Sequence, residues 1–262
     1  MKTLMTIFCC LAISVCFAQN FEGTIKWSVK SEIIDPKMKA QMEEAQKKMS
    51  DPATQAQMKA MMEQNPQMKA QMEAAMKMQG GGMNSMMPTG FIIKIKNGNT
   101  LSIMEGGMMG GTETLYKRDK NETYLINAAS KTYSRIAGGD HTGASTNTQV
   151  KVTKTSETQK ILNYTCIKSV VTTTYDGMEV KQNIWATKEI KDFDLKGLSR
   201  QQVGRGQSMF YENIEGVPLK MEMVTPQMKM EMVVTEIKKG SLPASAFEIP
   251  AGYTETKIPG MH

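Results

Sequence analysis

FIIKIKNGNTLSIME, Phe91–Glu105, is the stretch whose reading decides the fold. Two strand-like runs, Phe91–Lys96 and Thr100–Glu105, flank Asn97-Gly98. A two-residue hairpin turn needs positive φ at both central positions, and Asn-Gly tolerates that at least cost. The stretch therefore reads as an antiparallel hairpin, and the same strand period continues downstream. Thr114–Lys117, Thr123–Asn127 and Lys131–Ile136 form a meander with polar turns. Gly138–Thr148 is a small-residue linker between two halves of one sheet. Val150–Thr155, Tyr164–Tyr175 and Met178–Ala186 resume the β pattern. Lys188–Met209 is polar and mixed and reads as a helix and loop. Leu219–Val224 and Met228–Ile237 are two strands joined at Thr225-Pro226-Gln227. Upstream, Phe21, Ile25, Trp27 and Val29 alternate with Glu22, Thr24, Lys26 and Ser28, which is the pattern of a half-buried strand.

Between that first strand and the hairpin lies a segment of another kind. Pro36 to Met87 holds 13 of the 26 methionines, set among Lys, Gln, Glu and Ala. It contains a repeat: Asp35-Pro36-Lys37-Met38-Lys39-Ala40-Gln41-Met42-Glu43 recurs as Asn65-Pro66-Gln67-Met68-Lys69-Ala70-Gln71-Met72-Glu73, and Asp51-Pro52 opens a looser copy. Asp or Asn at the N-cap accepts an orphan backbone N–H, and Pro at the next position needs no donor. The spacing predicts helices over 36–49, 52–64 and 66–78. Met38, Met42, Ala45 and Met49 form one stripe; Met58, Met61 and Met62 serve the second helix and Met68, Met72 and Met76 the third. Gly80-Gly81-Gly82 ends the series, with Met83, Met86 and Met87 in the following loop. The expected layout is one β domain over 19–262 carrying a helical, Met-rich insertion at 36–88.

Residues 1–18 read as a signal peptide: Lys2, an apolar run from Leu4 to Val15, and small residues at Cys16 and Ala18 before Gln19. The run is too short for a spanning helix, and Val15 before Cys16 argues against an acylated cysteine. The expected location is outside the inner membrane, periplasmic or associated with the outer membrane. Cys9, Cys10 and Cys16 leave with the signal, so Cys166 remains alone; in a strand-like run it reads as a buried structural thiol. The net charge of +6 is spread without a block of one sign, which favours solubility over nucleic-acid binding. His141 and His262 are the only histidines. There is no Ser-His-Asp set, metal cluster or nucleotide loop, and Gly106–Gly111 lacks the Lys-Ser/Thr ending of a phosphate loop, so the chain reads as non-catalytic and without a cofactor.

ETQKILNYTCIKSVV (Glu157–Val171), IWATKEI (Ile184–Ile190), GVPLKMEM (Gly216–Met223) and SAFEIPAGY (Ser245–Tyr253), in that order, resemble an exported, often Met-rich bacterial family known as domain of unknown function 4412. The resemblance implies a LolA-like architecture: a curved antiparallel half-barrel with helices over its concave apolar side. Relatives with that architecture carry lipoprotein acyl chains, and nothing catalytic follows from it.

Met221 and Met223 share a strand face, as do Met228, Met230 and Met232. Methionine is flexible and polarizable and fits varied apolar shapes. The expected function is binding of a hydrophobic or amphiphilic ligand, a lipid or an acylated protein, in the cell envelope. The residues expected to line the site are Ile25, Trp27, Met104, Trp185, Met221, Met223, Met230 and Met232, although alternation marks a filled core equally well. Thioethers are also soft ligands for Cu(I), and Met83, Met86 and Met87 are the best site for that alternative. A third reading is a protein-interaction module made by the insertion, with peripheral membrane contact or absorption of oxidants as variants. Oligomeric state carries no sequence signal.

Overall fold

The structure, a computed structural model, describes residues 21–64, 87–107, 110–136, 149–175, 178–191, 193 and 214–256. The expected signal segment, third helix, linker and Met83 and Met86 lie outside these residues, as do His141 and His262. Strand follows strand through most of the chain: β1 (Gly23–Ile33), β2 (Gly90–Lys96), β3 (Asn99–Glu105), β4 (Thr112–Lys117), β5 (Glu122–Asn127), β6 (Thr132–Ile136), β7 (Gln149–Ile161), β8 (Tyr164–Tyr175), β9 (Met178–Thr187), β10 (Val217–Val224), β11 (Met228–Lys239) and β12 (Thr254–Glu255). They form one open, curved sheet in the order β12-β6-β5-β4-β3-β2-β1-β11-β10-β9-β8-β7. Every pairing is antiparallel except that of β12 with β6.

The β2–β3 turn has φ of 53° at Asn97 and 79° at Gly98, the mirror-image turn that matches strand twist. The turn between β7 and β8 puts Leu162 at φ 53° with its side chain 43% exposed. β7 runs six residues beyond the expected Thr155 because β8 supplies pairing as far as Ile161. Its Ser156–Lys160 are exposed on both faces, so no alternation marks them.

α1 (Pro36–Ser50) and α2 (Pro52–Gln64) occupy the first two predicted helical spans. Asp35 Oδ1 accepts the N–H groups of Lys37 (2.6 Å) and Met38 (3.1 Å), and Asp51 accepts that of Thr54 (3.2 Å). The N–H groups of Ile34 and Asp35 donate to Gln227 O at 2.9 and 3.3 Å, tying the start of α1 to the β10–β11 turn. Met38 and Met42 are half-buried, and every other described side chain of α1 is exposed.

The last described segment forms a strap. Leu242, Ala246, Phe247, Ile249 and Tyr253 lie against Leu101, Leu115, Tyr124 and Ile126 of β3–β5. Phe247, 2% exposed, fills the centre. Three polar ties hold the strap. Lys96 Nζ bridges Glu22 Oε1 (2.8 Å) and Leu242 O (2.5 Å), while Leu242 N–H donates back to Glu22 (2.6 Å). Lys117 Nζ, its side chain 11% exposed, meets Glu248 at 2.5 Å. Thr254–Glu255 then adds to the edge of β6.

Candidate functional site

Register settles which side chains share a face, since directly paired residues point the same way. Ile25, Trp27 and Val29 are buried while Lys26 and Lys30 are exposed, so β1 defines an inner face. Following its pairs across the sheet gives two rows rich in methionine. Val29 pairs Met232, Met232 pairs Met221, and Met221 pairs Ile184. One step along the strands, Ser31 pairs Met230, Met230 pairs Met223, Met223 pairs Gln182, and Gln182 pairs Val171. In the other direction Trp27 pairs Phe91, and Phe91 pairs Met104. Seven of the eight expected lining residues thus share one face: Ile25, Trp27, Met104, Met221, Met223, Met230 and Met232.

Trp185 is the exception. It pairs Lys220 and Lys168, and Lys220 pairs Val233, which lies opposite Ser28. This is the outer face. The expectation erred because an aromatic residue in a strand does not reveal its side; Ile184 and Gln182 are the inward positions of β9. The ammonium groups of Lys168 and Lys220 lie 5.3 and 4.7 Å from the Trp185 ring centroid, a cation–π arrangement. Lys220 also meets Glu222 (2.8 Å) and Glu231 (3.4 Å). Burial works against the Lys220 charge, but these two carboxylates hold its pKa above the ordinary lysine value. Trp185 is itself 4% exposed and belongs to the apolar cluster that includes Cys166, Val217 and Leu219, with the two lysines lying over its ring.

The inner face differs in kind. Along both Met rows from β1 to β8 there is no charged side chain; Lys154, opposite Ser169 on the edge strand β7, is the first, and it is paired with Glu215. Trp27 is held by stacking on Phe91, with ring centroids 5.4 Å apart and planes at 14°. A Cβ at Gly90 would collide with the carbonyl oxygen of Trp27, so only glycine lets β2 lie this close. Met221 and Met232 pack against the main core cluster around Trp27, Leu219 and Val234. Met223 and Met230, one row farther out, are half-buried and stand apart from the apolar clusters of the described residues. The face therefore grades from filled core at Trp27 to partly open thioethers at Met223 and Met230.

Two donors on this face lack good acceptors. Trp27 Nε1 is buried with no hydrogen-bond partner among the described residues. Gln182 Nε2 donates to the thioether of Met223 at 3.4 Å, a weak acceptor. Phe91, Ser31, Gln182, Val171 and Ile184 were missed as neighbours. Their own strands carry the signal, but only register joins those strands into one surface. Cys166 is buried and free, as expected, and burial pushes its thiol up to about 11. Among the described residues no group of three or more His, Cys, Asp or Glu could hold a metal ion, and no helix is long and apolar enough to cross a membrane.

Similarity to solved structures is low. PNGF-II is 18% identical, with 64% of this chain and 28% of that one covered and a TM-score of 0.37. LprF from Mycobacterium bovis is 8% identical over 85% and 89%, with a TM-score of 0.30. A putative outer membrane lipoprotein-sorting protein domain from Vibrio parahaemolyticus is 12% identical over 60% and 80%, with a TM-score of 0.26. The chain spans little more than a quarter of PNGF-II. No curated protein matches it. The model of the domain of unknown function DUF4412, by contrast, matches residues 46–253, and the chain belongs to that family.

Proposed function

We propose that this is a non-catalytic binding protein of the cell envelope that holds an apolar or amphiphilic ligand, such as a lipid or an acylated protein, against its inner sheet face. One observation carries this reading. The cross-strand pairs Met221/Met232 and Met223/Met230 lie half-buried, side by side, in rows that carry no charged side chain from β1 to β8. A sheet face packed for stability alone is filled with stiff, branched residues; a face of flexible thioethers moulds itself to what it receives. Ligand sites in curved sheets are lined by inward-facing alternate residues. Ile25, Trp27, Met104, Met221, Met223, Met230 and Met232 are the proposed lining. α1 starts at the rim of this face, just past the Ile33–Met228 pair, which supports a covering role for the insertion at 36–88.

The test is native mass spectrometry of the exported protein, purified without detergent. A retained lipid-sized mass is expected, and its fragments would give the ligand class. A bare polypeptide that also fails to bind an environment-sensitive apolar dye would overturn the reading. Deleting residues 36–88 should leave the β domain folded but raise dye binding if the insertion covers the face.

A further inference from the structure

Building on that reading, we infer that the ligand carries an uncharged hydrogen-bond acceptor, the ester or amide carbonyl of an acyl group, and that the Trp27 indole N–H reads it. Trp27 is 7% exposed, its Nε1 has no acceptor among the described residues, and it sits on the inner face at the buried end of the Met rows. A buried donor without a partner is costly in a folded protein; of the two such indole N–H groups among the described residues, Trp27 and Trp185, that of Trp27 is the one on the Met-bearing face. Stacking on Phe91 and the close approach of β2 at Gly90 oppose relief by rotation of the ring. An acceptor brought by a ligand would satisfy the donor, whereas a plain hydrocarbon would leave it orphaned.

The rest of the face fixes the acceptor's charge. From β1 to β8 the two Met rows offer Ser31, Ser169 and Gln182 as their only polar side chains and no cation. A carboxylate or phosphate there would be buried without a counter-charge, which is far more costly than burying a neutral carbonyl. Gln182 points the same way, since it spends an N–H on a thioether that a carbonyl oxygen would outcompete. Anionic groups would have to remain outside this face.

The experiment measures displacement of a bound apolar dye by three ligands of equal chain length: a monoacylglycerol, the fatty acid, and the hydrocarbon delivered from cyclodextrin. In the native full chain the monoacylglycerol should bind tightest. Trp27→Phe should weaken it about five- to tenfold more than it weakens dye and hydrocarbon, the difference being the worth of one hydrogen bond. A second readout needs no change at Trp27: in Trp185→Phe the remaining indole N–H resonance should move downfield with monoacylglycerol and stay put with hydrocarbon. Equal ester affinity in native protein and Trp27→Phe, an unmoved resonance, or tighter binding of the fatty acid anion would each overturn the inference while leaving the apolar site standing. Failure of the dye itself to bind would remove both.

Discussion

Met230→Lys separates a binding face from a filled core. Met230 is half-buried, pairs Met223 and Ser31, and has no charged neighbour in its row. Fully burying a methionine side chain is worth about 1.5–3 kcal/mol; a ligand covering the part still exposed would gain roughly 0.5–1 kcal/mol, which the substitution removes. A lysine would also put an ammonium group against an acyl chain with no partner, a further cost of about 2–3 kcal/mol. Together these amount to about 3 kcal/mol, or roughly a 100-fold loss of affinity. The fold should survive, because the site is open enough for the lysine stem to lie along the sheet with its charge in water. Dye titration beside a thermal melt is the assay. Met230→Leu should bind within about threefold of native, since a hydrophobic swap of similar volume is tolerated. Val224→Lys, on the outer face where Val224 is 53% exposed, should also bind normally. A folded Met230→Lys protein with native affinity would refute the reasoning.

Further outcomes concern the strap and the thiol. Phe247→Ala empties the centre of the strap cluster and should cost about 3–5 kcal/mol, read as a lowered urea midpoint. Glu22 has its pKa held below 4.5 by the Lys96 hydrogen bond and the Leu242 N–H. A depressed folded-state pKa gives stability that is present above the ordinary carboxylate range and is lost as pH falls through the folded value. The melting temperature of native protein should therefore drop on acidification below about pH 4.5 more than that of Glu22→Gln; parallel pH curves would contradict this. Cys166, fully buried with its thiol at about 11, should resist alkylation near pH 8 until the protein is unfolded.

Local chemistry was legible wherever one short signal decides the backbone. Asn97-Gly98 placed the hairpin, Asp35-Pro36 and Asp51-Pro52 placed two helix starts, and alternation placed β1 on the correct face. What failed needed information from two distant segments at once. Trp185 was assigned inward because nothing in Ile184-Trp185-Ala186 says which neighbour meets Lys220. The strap motif Ser245–Tyr253 carries no local sign of where it packs, since the strap's partners Leu101, Leu115 and Glu22 lie up to 220 residues away in sequence. The far half of β7 was invisible because it is exposed on both sides and owes its strand form to β8. Within the candidate site, the methionines were found by composition, while Gln182 and Ser31 emerged only when register laid their strands beside the Met rows.

The place of β1 governs the order in which this protein assembles. Apart from the short β12 on the edge of β6, the strands β2 to β6 pair among sequence neighbours, and so do β7 to β11; β1 joins the two runs within the sheet, with Ile25 opposite Ile93 on one side and Ile237 on the other. The first of the described strands must therefore wait for nearly the last of them before its second edge is closed. Two locally built half-sheets can form early, but their joining brings together residues about two hundred apart in sequence, the slow kind of step that long-range contacts impose. Until then β1, even once paired with β2, keeps its β11 edge open, so the segment that completes the native sheet is also exposed to mispairing in the nascent chain.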